Sequence, residues 1–156
     1  MRVIVCGSRG WSDAGAITSD LAALPAGTTI VHGDARGADR LAEAAARRLG
    51  LATEAHPANW ARYGKSAGPR RNAEMVALGA DLCLAYRLEG PSRGTDDMVG
   101  RCRSHGILVR LNAGKAPPCT PGQHRGRRQP DGSLRCSMCG ATSRPRYAQA
   151  QLPLPA

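Results

Sequence analysis

The chain has 156 residues, 42% hydrophobic and 3% aromatic with no Phe, enough for one ordinary domain and a small appendage around a core of Ala, Leu, Val and Ile. It contains no run of about 18 apolar residues, and the opening MRVIVCGSRG turns polar too soon for a signal peptide. The expectation is a soluble cytoplasmic protein whose six Cys are thiols or metal ligands rather than disulfides. The formal charge of +10 is uneven, with 15 Lys+Arg against 11 Asp+Glu in residues 1–111 and 7 against 1 in residues 112–156. A basic tail of that kind either meets an acidic partner such as nucleic acid or is merely solvated.

Five short apolar runs follow in order: Val3-Ile4-Val5, Thr29-Ile30-Val31, Ala52 to His56, Leu82 to Ala85, and Ile107-Leu108-Val109. They read as strands mostly buried on both faces. Between them lie helical patterns. Ile17, Leu21 and Leu24 follow the capping candidates Ser12 and Asp13; Leu41, Ala45 and Leu49 end near Gly50; Ala73, Val76 and Ala77 follow Pro69; a fourth helix spans Thr95 to Ser104. This alternation predicts an α/β domain over 1–111, Rossmann-like and doubly wound, with a mostly parallel five-stranded sheet. Every loop after a strand then lies at the carboxyl edge, where open α/β sheets bind ligands. Residues 112–118, NAGKAPP, read as a linker, 119–147 as a second unit and 148–156 as a disordered tail.

Four loops carry polar residues suited to a ligand. Gly7, Ser8, Arg9 and Gly10 precede Trp11 and form either an anion-binding turn or simply a turn. In the second loop Gly33 and Gly37 flank Arg36, whose planar fork suits a phosphate, while Asp39 either accepts from a ribose hydroxyl or caps the helix. Arg70, Arg71 and Asn72 stand in the first turn of a helix, where cations oppose the helix dipole unless an anion is bound. Trp60, just before, either stacks on a base or packs. Gly94 and Thr95 open the last helix, Thr95 as a cap, a phosphate ligand or both, with His32, Asp34 and Asp96 as acid-base candidates.

The series GSRGW, HGDARGADRLAEAAARRLG, PANWARYGKSAGPRRNAEM and DLCLAYRLEGPSRGTDDMV resembles the SLOG superfamily in its YspA-like branch, over essentially residues 1–111. The resemblance implies a Rossmann-like fold that binds nucleotides or nucleotide-derived signals. That superfamily also includes the lonely-guy phosphoribohydrolases and DNA-processing proteins. By motif, the implied ligand contacts are Gly7, Ser8, Arg9, Gly33, Arg36, Gly37, Asp39, Arg70, Arg71, Asn72, Gly94 and Thr95, with Trp11 and Trp60 beside them. The enzymatic branch carries P-G-G-x-G-T-x-x-E with a catalytic Glu three places after the Thr, and here that position is Met98. The expectation is therefore a nonenzymatic sensor or sequestering protein. The alternative is a nucleotide hydrolase of phosphoribohydrolase type, with Arg71 holding phosphate and Asp96 or Asp97 as acid-base group; a second is a DNA-associated adaptor. A homodimer is the expected assembly.

Cys119-x4-His124, then Cys136-x2-Cys139 around the turn signal Asp131-Gly132, give four ligands in two knuckles, matching a two-stranded zinc ribbon with one structural Zn2+. Its arginines make it a docking module for nucleic acid or protein. Cys6, Cys83 and Cys102 read as small buried hydrophobes.

Overall fold

The computed structural model describes residues 1–114 and, as backbone strands, residues 126–128, 134–136 and 142–143. The chain divides into two units, Met1–Ala116 and Pro117–Ala156. In the first, β1 (Arg2–Gly7), β2 (Thr29–His32), β3 (Ala52–Ala55), β4 (Leu82–Leu88) and β5 (Leu108–Gly114) form one sheet in the order β3-β2-β1-β4-β5. All four pairings are parallel, with Ile4 opposite Val31 and Cys83, so β1 is the central strand. The doubly wound Rossmann-like α/β architecture expected from the alternation is present.

Side-chain alternation sends two sets of residues to opposite faces. Val3, Val5, Ile30, Leu84 and Tyr86 pack beneath α1 (Ala14–Ala22) and α2 (Ala38–Arg48). Ile4, Cys6, Val31, Cys83 and Ala85 pack beneath α4 (Ala67–Ala77) and α5 (Arg93–Ser104), helped by Met75, Val76, Met98 and Cys102. A short helix α3 (Trp60–Tyr63) and a 3-10 turn at Gly64–Ser66 precede α4. No described helix is long and apolar enough to cross a membrane.

Three expectations change. The buried face of α2 is Ala38, Ala42, Ala45 and Ala46, with Leu41 only partly buried and Leu49 exposed, because small side chains let this helix lie close to the sheet and α1. The edge strands β3 and β5 are not covered on both faces: Leu108 is 69% and Leu111 47% exposed, since the helices centre over β1, β2 and β4. Residues 112–114, expected in a linker, extend β5 beside Tyr86 to Leu88.

In the second unit, β6 (Gly126–Arg128), β7 (Leu134–Cys136) and β8 (Thr142–Ser143) form a three-stranded antiparallel sheet, one strand more than the ribbon expected.

Candidate ligand-binding site at the carboxyl edge

The strand order reverses between β1 and β4, and there the loops leaving both strands face each other. Ser8 ties them: its N–H donates to the Tyr86 carbonyl at 2.8 Å and its Oγ accepts from the Leu88 N–H at 3.0 Å. Ser8 Oγ also lies 3.1 Å from Ser92 Oγ, which donates to Thr95 Oγ1 at 2.8 Å. The sequence did not single out Ser92, because its role depends on a partner 84 residues away. Gly37 has φ +86° and passes so near the first loop that a Cβ would lie 2.5 Å from the Ser8 carbonyl oxygen. A Cβ on Gly7 would meet Ala38 Cβ and the Tyr86 carbonyl at 2.5 Å. These two glycines serve backbone approach between loops.

The helices beginning here differ. Asp13 caps α1 by accepting from the Ala16 N–H at 2.9 Å. Neither α2 nor α5 has a side-chain cap, since Gly37 has no side chain to offer and Ser92 turns to Ser8 and Thr95. Their first backbone N–H groups are left facing the edge.

Arg71 lies between them. Its guanidinium occupies the volume that a Cβ on Gly33 would take, donates from Nη1 to the His56 carbonyl at 3.0 Å and from Nε to Asn72 Oδ1 at 3.0 Å. Burial, first among several influences, lowers its pKa. Among the described residues no carboxylate lies within ion-pair distance of it. Asn72, itself buried, passes the connection on, donating to the Gly94 carbonyl at 3.2 Å and to Asp97 Oδ2 at 2.9 Å. His56, also unanticipated, bonds through Nε2 to Glu54 at 2.6 Å, and the Arg2 guanidinium and His56 together hold Glu54 down to about 2.

The acidic candidates have other engagements. Asp39 is 4% exposed, and its Oδ2 accepts from the N–H groups of Gly33 at 2.9 Å and Ala35 at 3.3 Å, tying the second loop together. Burial pushes it up to about 6. Asp96 pairs with Arg87 at 2.7 Å on the solvent side of α5, and Asp97 accepts from Arg101 at 3.0 Å as well as from Asn72. Asp34, at φ +50°, lies 3.4 Å from Arg40. His32 shares the Ile30 face beneath α2; its Nδ1 accepts from the Asp34 N–H at 3.2 Å, which leaves the proton on Nε2, a buried atom with no partner among the described residues. Burial lowers its pKa. Met98 packs in the core beneath α5.

The remaining predicted residues separate. Trp11 is not at the site: it is buried, tilted against Tyr86 at 5.3 Å, with Nε1 donating to the Asp13 carbonyl at 2.9 Å. Thr95 is buried at the start of α5 and Gly94 is open to approach. Arg9, Arg36, Trp60 and Arg70 are exposed around the rim. Of the metal ligands, Cys119, His124 and Cys139 lie outside the described residues, and Cys136 is described only as the last residue of β7.

A five-stranded parallel sheet in Rossmann order, with uncapped helix N-termini and a half-buried guanidinium at its carboxyl edge, defines a Rossmann-like α/β protein. Residues 1–63 match the family described as "YspA, cpYpsA-related SLOG family". The chain is 42% identical over 125 residues to the Gene 61 protein of Mycobacterium phage D29, covering 74% of this chain and 98% of that protein. The chain belongs to this YspA-related SLOG family. The X-ray structure of DNA processing protein A from Streptococcus pneumoniae is similar at 17% identity and a TM-score of 0.47, over 71% of this chain and 58% of that one.

Proposed function

We propose that the carboxyl edge binds a nucleotide or nucleotide-derived ligand through its phosphate, in a sensing or sequestering role. Arg71 carries this reading. A half-buried guanidinium with no carboxylate partner among the described residues is costly to hold, and an anion arriving beside it removes the cost. The N–H groups of α2 and α5 add a converging positive field, and open Gly94 leaves room for phosphate oxygens. Membership of the SLOG family supports a nucleotide as the source of that phosphate.

Binding is favoured over turnover by the acids. The position three after Thr95 is Met98, in the core, while Asp96 and Asp97 are held by Arg87 and Arg101. No free carboxyl among the described residues of α5 is left to protonate a departing base.

Cys119, His124, Cys136 and Cys139 are proposed to hold one structural Zn2+. Gly126 pairs with Cys136, so the chain enters β6 and leaves β7 at the same end, which suits two knuckles flanking that hairpin. A unit with strands this short would take much of its folding energy from the metal.

Native mass spectrometry of the full chain with AMP, NAD and ADP-ribose tests both. The expected result is an unchanged ligand bound by the wild type and lost in Arg71→Ala, with one zinc per chain. Binding of none of the three overturns the ligand reading; release of free base or phosphate makes the protein an enzyme.

A further inference from the structure

Outside the crevice, the segment between β3 and α4 builds a surface that a small phosphate ligand does not account for. Trp60 is 51% exposed, which is unusual for so large a ring. The Arg9 guanidinium lies 6.0 Å from its centroid, and Arg62 and Arg70 lie 5.0 and 4.9 Å from the Tyr63 centroid. Trp60 also borders Gly68, whose Cβ would sit 3.4 Å from its ring, so the two aromatic groups share one ledge across α3 and the first turn of α4. Lys65 lies exposed between them. Among the described residues, none of Arg9, Arg62, Lys65 and Arg70 pairs with a carboxylate.

We infer that this ledge is a docking surface for single-stranded nucleic acid. The Arg62 and Arg70 guanidinium groups lie over the Tyr63 ring and Arg9 more loosely over the half-exposed Trp60, so a base can stack on Trp60 or take the place of a guanidinium, beside positive charge that no carboxylate among the described residues pairs. An unpaired strand presents the complement, with open base faces and a phosphate at every step. A duplex covers its base faces, and an acidic peptide has the charge without the faces. The surface adjoins the rim of the crevice, with Arg9 near enough to act on Arg71, but the Arg71 side chain itself is turned inward over Gly33 and is not part of the ledge.

Fluorescence anisotropy of the full chain with labelled oligo-dT and oligo-rU of about 20 nucleotides, and a duplex of equal length, tests it. Trp11 is buried, so quenching of tryptophan emission reports on Trp60. Single strands of either sugar are expected to bind more tightly than duplex and to quench that emission. The joint change Trp60→Ala with Tyr63→Ala should weaken binding by roughly 30-fold or more, with Trp60→Phe restoring most of the loss from the tryptophan. Arg62→Ala with Arg70→Ala should flatten the log–log salt slope by about 1.4. Trp60, Arg62 and Arg70 are exposed and Tyr63 is partly buried, and unchanged circular dichroism melts confirm that the variants fold. Arg71→Ala should leave strand affinity intact even where it abolishes mononucleotide binding. Equal affinity in the aromatic double variant places binding elsewhere and overturns the inference. So does a preference for duplex, displacement by poly-glutamate at matched charge, or no binding.

Discussion

Replacing Gly33 by Ala adds one methyl group and separates the site from the fold. The Gly33 backbone is outside the left-handed region, so an L side chain is conformationally admissible there. The obstacle is the Arg71 guanidinium, which already fills the Cβ volume. That obstacle is the far end of a flexible side chain, so Arg71 swings away and its bond to the His56 carbonyl at 3.0 Å is lost. A hydrogen bond from a charged donor contributes about 1.5–3 kcal/mol, and partial exposure reduces this to about 1–2 kcal/mol. The melting temperature should then fall by roughly 4–10 °C. Phosphate affinity loses a charge-assisted contact of similar size, roughly 5- to 30-fold in Kd. Thermal melts and nucleotide titration of Gly33→Ala beside Arg71→Ala measure both terms. Matching losses of affinity support the assignment; Gly33→Ala binding as tightly as wild type while melting lower would refute it.

Gly37→Ala should be far more damaging than Gly90→Ala, although both glycines have positive φ. The Gly37 Cβ meets backbone atoms of Ser8 and Arg9 at 2.5–2.7 Å and Gly90 meets nothing, so urea unfolding should show a loss above about 2 kcal/mol against about 1. Asp39 gives a pH signature. Burial raises it from 3.8 to about 6, so the folded chain keeps this proton longer than the unfolded chain, and the associated stability is full below pH 3.8 and lost as pH rises through 6. Urea midpoints across that window should decline in the wild type and flatten in Asp39→Asn; an undiminished slope in the variant would sink the argument.

The fold was legible because its signals are local. Apolar runs such as Val3-Ile4-Val5 and Leu82 to Ala85, spaced by helical patterns, require a parallel sheet. Where a strand lies within the sheet is not local, so the exposure of Leu108 and the extension of β5 to Gly114 escaped. At the site, Arg71 was readable from its conflict with the helix dipole. Its pairing with Gly33 was not, because no spacing reveals which glycine yields its Cβ volume to which side chain. Trp11 misled for a related reason: a tryptophan next to a glycine loop has the composition of a ligand platform, and only the position of Tyr86 on β4 shows it packing inward. Tyr63 and Ser92 lie within the quoted motifs, but nothing in their spacing set them apart from their neighbours. The basic-aromatic interleaving of WARYGKSAGPRR was the available signal for Tyr63.

Asn72 has a consequence of its own. A carboxamide has an acceptor at one end and a donor at the other, and here the acceptor faces the Arg71 cation while the donor faces the Asp97 anion and the Gly94 carbonyl. Neither a carboxylate nor an ammonium of any length can serve both ends. Exchanging the charges at 71 and 97 would not be repaired by a half-turn of the amide, because its oxygen would then face the Gly94 carbonyl, and altering either alone strands it. Positions 71, 72 and 97 therefore form a matched set, and across descendants of this chain they are expected to change together or not at all.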